Sequence, residues 1–279
     1  MKKAYGFVVL TAFLFGTMEV ACKVAGNQLD PFQLTFIRFA IGGLILLPFA
    51  TVELRKAKIR LTARDLLRLA GVGILGISLS MVFFQLGVSN SNASTASVLI
   101  SINPLFTMVF AHFFTSEKLN RHKFVVLGFG LMGLIFMIRP WDVQEGNTVI
   151  GIVYMLLAAI FFGAYTIAGK VSAQKLGIMA QTSISFILGS IVLLIMMLIM
   201  GKPVIAGVAD NLPLVAYISL FVTGLGYFSY FMAIKCSDAA TGSQAYFLMP
   251  ANAPVMAVIF LHGKNLWNTT NGIGQMLER

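Results

Sequence analysis

Charge is what this chain has least of. Asp, Glu, Lys and Arg together make up 11% of its 279 residues, whereas hydrophobic types make up 58%. Mean hydropathy is +0.88. A soluble domain of this size could not hide so much apolar surface. Cysteine is nearly absent. Cys22 lies within an apolar run and Cys236 at the end of another, so neither a disulfide framework nor a ligand cluster is available. The three histidines, His112, His122 and His262, are scattered. No HExxH motif, phosphate loop or nucleophile triad accompanies them, which argues against an integral membrane enzyme. Nothing in the residues calls for a cofactor or a metal.

What the chain does have is long apolar runs, and a membrane span needs about 20 such residues. Hydropathy places nine spans near 4–25, 31–52, 67–88, 92–114, 123–139, 148–169, 178–200, 212–234 and 239–261. The first is read as a retained span rather than a signal peptide, because it is long and carries Glu19 and Lys23. The formal net charge of +10 does not indicate nucleic-acid binding, since the basic residues sit in short loops between apolar runs. Arg55, Lys56, Lys58, Arg60 and Arg64 fill the second-to-third loop, and Lys118, Arg121 and Lys123 the fourth-to-fifth. Lys170, Lys175 and Lys235 follow at later loops of the same side, joined by Lys2 and Lys3. The other side holds Asp30, Asp142, Glu145 and Asp210, with only Arg139 and Lys202. This asymmetry predicts a multi-pass protein of the cytoplasmic membrane with a cytoplasmic N-terminus.

The chain also repeats itself. Residues 12–24 (AFLFGTMEVACKV) match residues 159–171 (AIFFGAYTIAGKV) without a gap, at an offset of 147 (159 minus 12). Phe15/Phe162, Gly16/Gly163 and Lys23/Lys170 coincide. Residues 91–104 pair with 237–250 at an offset of 146 (237 minus 91), aligning Pro104 with Pro250. Five spans per copy is an odd number, so the second copy enters the membrane from the opposite side. The expected fold is an all-α polytopic membrane protein of two inverted five-helix repeats, residues 1–146 and 147–279. In that register the second copy stops where the first continues, so nine full spans and a missing tenth are expected. Glu117 has Gly263 as its counterpart in the second copy.

The ordered set of motifs resembles the drug/metabolite transporter superfamily, EamA type. Phe15-Gly16 followed by Lys23, Arg38 in the second span, Asn103-Pro104 in the fourth, Ser116-Glu117-Lys118-Leu119 after it and Gly128, Gly130 and Gly133 in the fifth carry the resemblance. The resemblance implies a ten-span secondary transporter that exports or exchanges small metabolites, often amino acids, related compounds or drugs, without ATP.

Intramembrane polar residues are the candidates for substrate contact. Glu19 and Lys23 are four apart and share a helix face. An ionisable group near the bilayer centre costs about 2.5–3.5 kcal/mol on insertion scales, so Glu19 should face the bundle interior. Proton coupling, a substrate-ammonium site and a structural ion pair all remain open for it. Lys23 and Lys170 are expected to snorkel to opposite interfaces, with anion-attracting gates as the alternative. For Arg38 snorkelling stands first, then pairing with Glu19, then holding a substrate carboxylate. Gln85, Asn103, Gln244 and Asn252 either bridge helices or line a polar cavity. The prolines at 104, 250 and 254 mark broken helices, which point to a binding site when matched in two halves. Tyr227, Tyr230 and Tyr246 suit stacking or cation–π contact, or plain packing. Gly16, Gly163, Gly224 and Gly226 are expected at close helix crossings. The expected partners are a small-molecule metabolite, membrane lipid and protons as a coupling ion, with no reading of oligomeric state. The alternative to a working transporter is an inactive truncated one.

Overall fold

A computed structural model describes residues 2–26, 28–117, 148–246 and 248, with isolated positions 121, 125, 128, 129 and 132 between them. The side chains of Lys2, Lys3, Glu19, Lys23, Ala93, Ser94 and Ser97 lie outside the described set. Among the described residues the secondary structure is entirely helical. Six helical stretches are long and apolar enough to cross a membrane: Ala4–Gly26, Pro31–Lys56, Ala63–Ser89, Val149–Leu176, Ile178–Ile199 and Ala209–Cys236. A shorter apolar stretch covers Val98–Phe114. Of the nine expected spans, the fifth lies almost wholly outside the described residues, and the ninth mostly so.

Several spans are interrupted. The first consists of α1 (Lys2–Gly16) and α2 (Met18–Gly26), parted at Thr17, whose hydroxyl donates to the Leu14 carbonyl and lies 2.8 Å from the Tyr217 hydroxyl. The second is α3 (Pro31–Lys56), started by Asp30, whose carboxylate accepts from the Phe32 N–H. The third begins as α4 (Ala63–Gly73) on a capping box in which Thr62 and Asp65 bond each other's backbone N–H. It then loosens into π-helical turns over Ile74–Met81 before α5 (Val82–Ser89). The fourth is two helices, α6 (Ala93–Ile100) and α7 (Asn103–Phe114). The turn between them sits just ahead of Pro104, which has no N–H to continue a ladder and whose ring crowds the preceding turn. The expected break in this span is present. Its expected partner at Pro250 lies outside the described residues.

The later elements follow the same plan. They are α8 (Val149–Leu176), α9 (Ile178–Ile199), α10 (Leu212–Tyr217), α11 (Gly226–Cys236) and the short α12 (Ala239–Ser243). Between α10 and α11 runs a second π-helical segment, Ile218–Leu225, eight residues long like the first. The two segments lie 144 positions apart (218 minus 74), close to the sequence-repeat offset. π-helical turns inside α-helices are rare and often mark functional sites.

Packing runs crosswise. The α3 helix lies along α9, where Ser183 donates to the Gly43 carbonyl at 2.7 Å. The α1 helix packs on α11, and α8 packs on α5 and the first π-helical segment. The earliest helix of each sequence copy therefore lies against the third helix of the other. Close crossings use glycine. A Cβ on Gly73 would lie 2.8 Å from the Gly189 nitrogen, and one on Gly163 3.0 Å from the Phe106 carbonyl carbon. Gly226 holds the Phe15 ring in the same way, but Gly224 meets only its own turn at 3.4 Å and is not a crossing point.

Candidate functional site

Aromatic rings converge where α1, α3, α8, α9 and α11 meet. Tyr227 has ring centroids of Phe15, Phe39 and Phe186 within 5.1, 5.5 and 5.1 Å. Phe162 lies 5.8 Å from Tyr230 and 5.4 Å from Tyr246. All are essentially fully buried. The Tyr230 hydroxyl lies 3.0 Å from that of Thr166, which occupies the repeat position of Glu19.

Arg38 enters this cluster from α3. It is 0% exposed, which overturns the snorkelling expectation. Its position along the helix was readable, but the side chain turns inward rather than along the helix toward water. One terminal nitrogen reaches the Cys22 sulfur at 3.5 Å and the other the Met81 sulfur at 3.4 Å. Its guanidinium carbon stands 4.9 Å from the Phe39 ring centre and 5.8 Å from that of Phe84. Nε has no hydrogen-bond partner, and no carboxylate pairs with the residue among the described residues. Sulfur is a weak acceptor, so a full charge is held with little compensation. Met81 closes the first π-helical segment and also accepts from the Tyr227 hydroxyl at 3.2 Å.

Other sequence candidates surround this point unevenly. Gln85 is buried, donates to the Cys22 carbonyl at 3.4 Å and leaves Oε1 unpartnered. Asn103 is buried, accepts from Thr107 at 2.9 Å and leaves Nδ2 unpartnered. Tyr230 and Tyr246 belong to the aromatic cluster. Gln244 does not line an interior, being exposed at the end of α12. Gln244 is the cap residue just past the turn that buries Ser243, so its side chain leaves the packed face. Glu19 and Lys23 lie on α2, but their side chains are outside the described set, as is Asn252 altogether.

Lys170 is the second correction. Instead of snorkelling, it forms an ion pair with Glu117, with side-chain exposures of 13% and 17%. A half-buried ammonium with a carboxylate in reach is held by it rather than by solvent. The same carboxylate oxygen accepts from the Ala239 N–H at 3.4 Å, while Oε2 has no partner among the described residues. Two more acids act nearby. Asp65 pairs with Lys175. Glu53 accepts from the N–H groups of Ile178 and Ala180 at 3.2 and 3.1 Å, satisfying the start of α9. Gly177 precedes that start with φ of +94°, and a Cβ there would strike the Glu53 carboxyl. The sequence hinted at this partnership only by omission: α9 opens after a glycine with no Ser, Thr, Asp or Asn to cap it.

A cavity of about 530 Å³ opens at this Lys-rich end, lined among others by Glu53, Lys170, Lys175, Lys235 and Phe231. Phe231 also packs edge-on against Tyr165 and Tyr230, at 5.7 and 5.5 Å. It thus separates the cavity from the aromatic cluster. A second, apolar groove of about 650 Å³ runs between α4, α7 and α8 with Arg68 at its edge. The opposite end is held by Lys202 with Asp30 at 2.9 Å, by Gln33 donating to the Ala206 carbonyl and by Thr148 donating to the Asn90 carbonyl.

The description "EamA-like transporter family" matches residues 2–139 and again residues 149–277. An uncharacterized transporter of Clostridium kluyveri is 37% identical over 268 residues, covering 94% of this chain and 86% of that protein. S-adenosylmethionine uptake transporters of Rickettsia bellii and Rickettsia conorii are 28% and 29% identical over 187 residues each. These alignments cover 67% of this chain and 62% and 61% of those proteins. One solved crystal structure superposes with a TM-score of 0.68 at 17% identity, covering 93% of this chain and 88% of that one, a likeness of fold. With both copies of the sequence matched and six apolar spans in place, the chain is a multi-pass membrane transporter that belongs to the EamA-like transporter family.

Proposed function

We propose that the chain is a secondary transporter that exports or exchanges small metabolites, amino acids or related compounds, by alternating access across the cytoplasmic membrane. Two inverted repeats, 1–146 and 147–279, form its two moving parts, and the Lys-rich end faces the cytoplasm. The doubled family match, the matched π-helical segments and the crosswise packing support this arrangement. So does the excess of basic loops at one end.

The observation that carries the reading is Arg38. Among the described residues, a guanidinium buried among aromatic rings, with two sulfurs and an idle Nε, has no anion beside it. A substrate carboxylate would supply one, and the rings would take a planar or cationic remainder. Amino-acid-derived substrates bearing such a group fit this description. The S-adenosylmethionine named for the Rickettsia relatives carries a carboxylate, a sulfonium and a purine. Gln85, Asn103, Tyr230 and Tyr246 complete the proposed contact set, with Glu19 and Lys23 on the neighbouring α2. Lys170 acts at the Lys-rich entrance.

Two measurements test this. Uptake or counterflow of S-adenosylmethionine and of a panel of amino acids in proteoliposomes should exceed that of empty liposomes for at least one compound. Arg38→Met should abolish it. Flux at the empty-liposome level across the panel sinks the reading. For orientation, the exposed native Cys236 should react with an impermeant maleimide in inside-out but not right-side-out vesicles.

A further inference from the structure

Three carboxylates from the first sequence copy clasp the second copy at the Lys-rich end. Glu53 holds the start of α9, Asp65 holds Lys175, and Glu117 holds both Lys170 and the start of α12. Glu117 differs from the others. Glu53 uses both oxygens, and Asp65 is tied into its capping box as well as to lysine. Glu117 has one buried oxygen with no donor, and no capping duty on its own helix. It joins three elements (the end of α7, α8 and α12) through a single oxygen. Its lysine also lines the 530 Å³ cavity, so water reaches the pair from that end.

We propose that Glu117 is the proton-accepting residue that couples protonation to opening of the Lys-rich end, an inference that rests on the transporter reading above. At neutral pH the carboxylate is charged and the clasp is shut. As pH falls through the carboxylate range, a proton from the cavity water binds the free Oε2. The ion pair with Lys170 is lost, and the ammonium, still holding its three protons, turns to cavity water. The bond from the Ala239 N–H weakens with the lost charge, so α12 separates from α7. The sign follows from the pairing: a cation beside the acid favours its charged form, so the clasp holds above the acid's titration and fails below it. Among the described residues the other charged groups on the surrounding elements are Asp238 at the start of α12, Lys235 at the end of α11 and Lys175 on α8, with His112 and Arg121 on the acid's own side of the chain. Asp238 accepts from the Thr241 N–H and also lies within electrostatic reach of Lys170, so it is a second acid acting on the same ammonium. His112 lies on α7 beside the acid, so the test must separate it from Glu117.

The test needs no substrate. Spin labels on Gln244→Cys and Phe113→Cys, both exposed positions, report the separation of α12 and α7 in the full-length protein carrying Cys236→Ser; buried Cys22 stays unlabelled. The wild type should pass from a short to a longer distance population as pH falls from about 8 to about 4.5, around the range of a glutamate. In Glu117→Gln the longer population should dominate at every pH. His112→Gln should retain the wild-type transition. The charge-swapped pair Glu117→Lys with Lys170→Glu rebuilds the ion pair but not the bond from the Ala239 N–H, since an ammonium cannot accept, and should restore a pH response of smaller amplitude. If Glu117→Gln does not fold, that swap and Glu117→Asp carry the test. A pH-independent distance in the wild type, or a transition in Glu117→Gln like that of the wild type, overturns the proposal. Either result leaves the Arg38 experiment standing.

Discussion

At the scale of single residues, Arg38 poses the sharpest energetic question. A charged side chain inside a span costs up to roughly 2.5–3.5 kcal/mol on insertion scales, and among the described residues sulfur contacts and two ring faces are the compensation for Arg38, about two turns into α3. Replacing a buried ion pair by apolar side chains of similar volume is often neutral or stabilising by about 1–4 kcal/mol, and a lone buried charge with no paired anion has still less to lose. Arg38→Met should therefore melt at the same temperature as the wild type or higher in detergent. Binding of a carboxylate substrate should weaken about 10- to 100-fold with loss of the charged hydrogen bonds. Thermal unfolding and equilibrium binding on the same preparation check both signs. If stability and binding fall together, Arg38 is a packing residue. The sequence marked this residue but misjudged it. Distance along a helix was legible from Asp30 onward, whereas the direction in which a long side chain lies depends on neighbours 43 positions away, such as Met81. Lys170 was misread for the same reason, because its partner Glu117 is 53 positions distant.

At the scale of elements, most spans were legible, since apolar length alone sets them. Ala63–Ser89 and Ile178–Ile199 lie within a few residues of their expected bounds. The π-helical turns inside two spans left no mark in hydropathy, because they change the hydrogen-bond spacing and not the residue types. Small residues were visible, but which of them mattered was not. Gly73 and Gly189 face each other across α4 and α9, and a Cβ on Gly73 meets backbone rather than a movable side chain. Gly71, two residues earlier on the same helix, has open space. Gly73→Ala should destabilise by about 1–3 kcal/mol through overpacking. Gly71→Ala should be neutral or stabilise by about 0.5–1 kcal/mol, because alanine loses less backbone freedom on forming a helix. Melting temperatures of the two variants in one detergent give the comparison. Equal effects would mean that α4 and α9 do not cross at these glycines.

At the scale of the whole molecule, the two ends are held by different means, and that difference sets the balance between states. The Lys-rich end uses charge against helix starts, and charge-assisted bonds contribute about 1.5–3 kcal/mol each. Among the described residues the other end uses one ion pair, Asp30 with Lys202, and neutral amide or hydroxyl bonds to carbonyls. If the repeats rock about a central site, weakening either end should shift the population toward the state open at that end. Glu53→Gln keeps the side-chain size but removes the charge facing the start of α9, so it should raise labelling of cysteines placed at the Lys-rich cavity, such as Ala173→Cys. Lys202→Ala should instead raise labelling of Val204→Cys at the far end. Combining the two should bring the ratio of the two labelling rates back toward the wild type, because the same equilibrium is pushed from both sides. Additive rises at both ends, with no compensation in the double variant, would mean that each end frays locally, and the two-state rocking of the repeats would have to be abandoned.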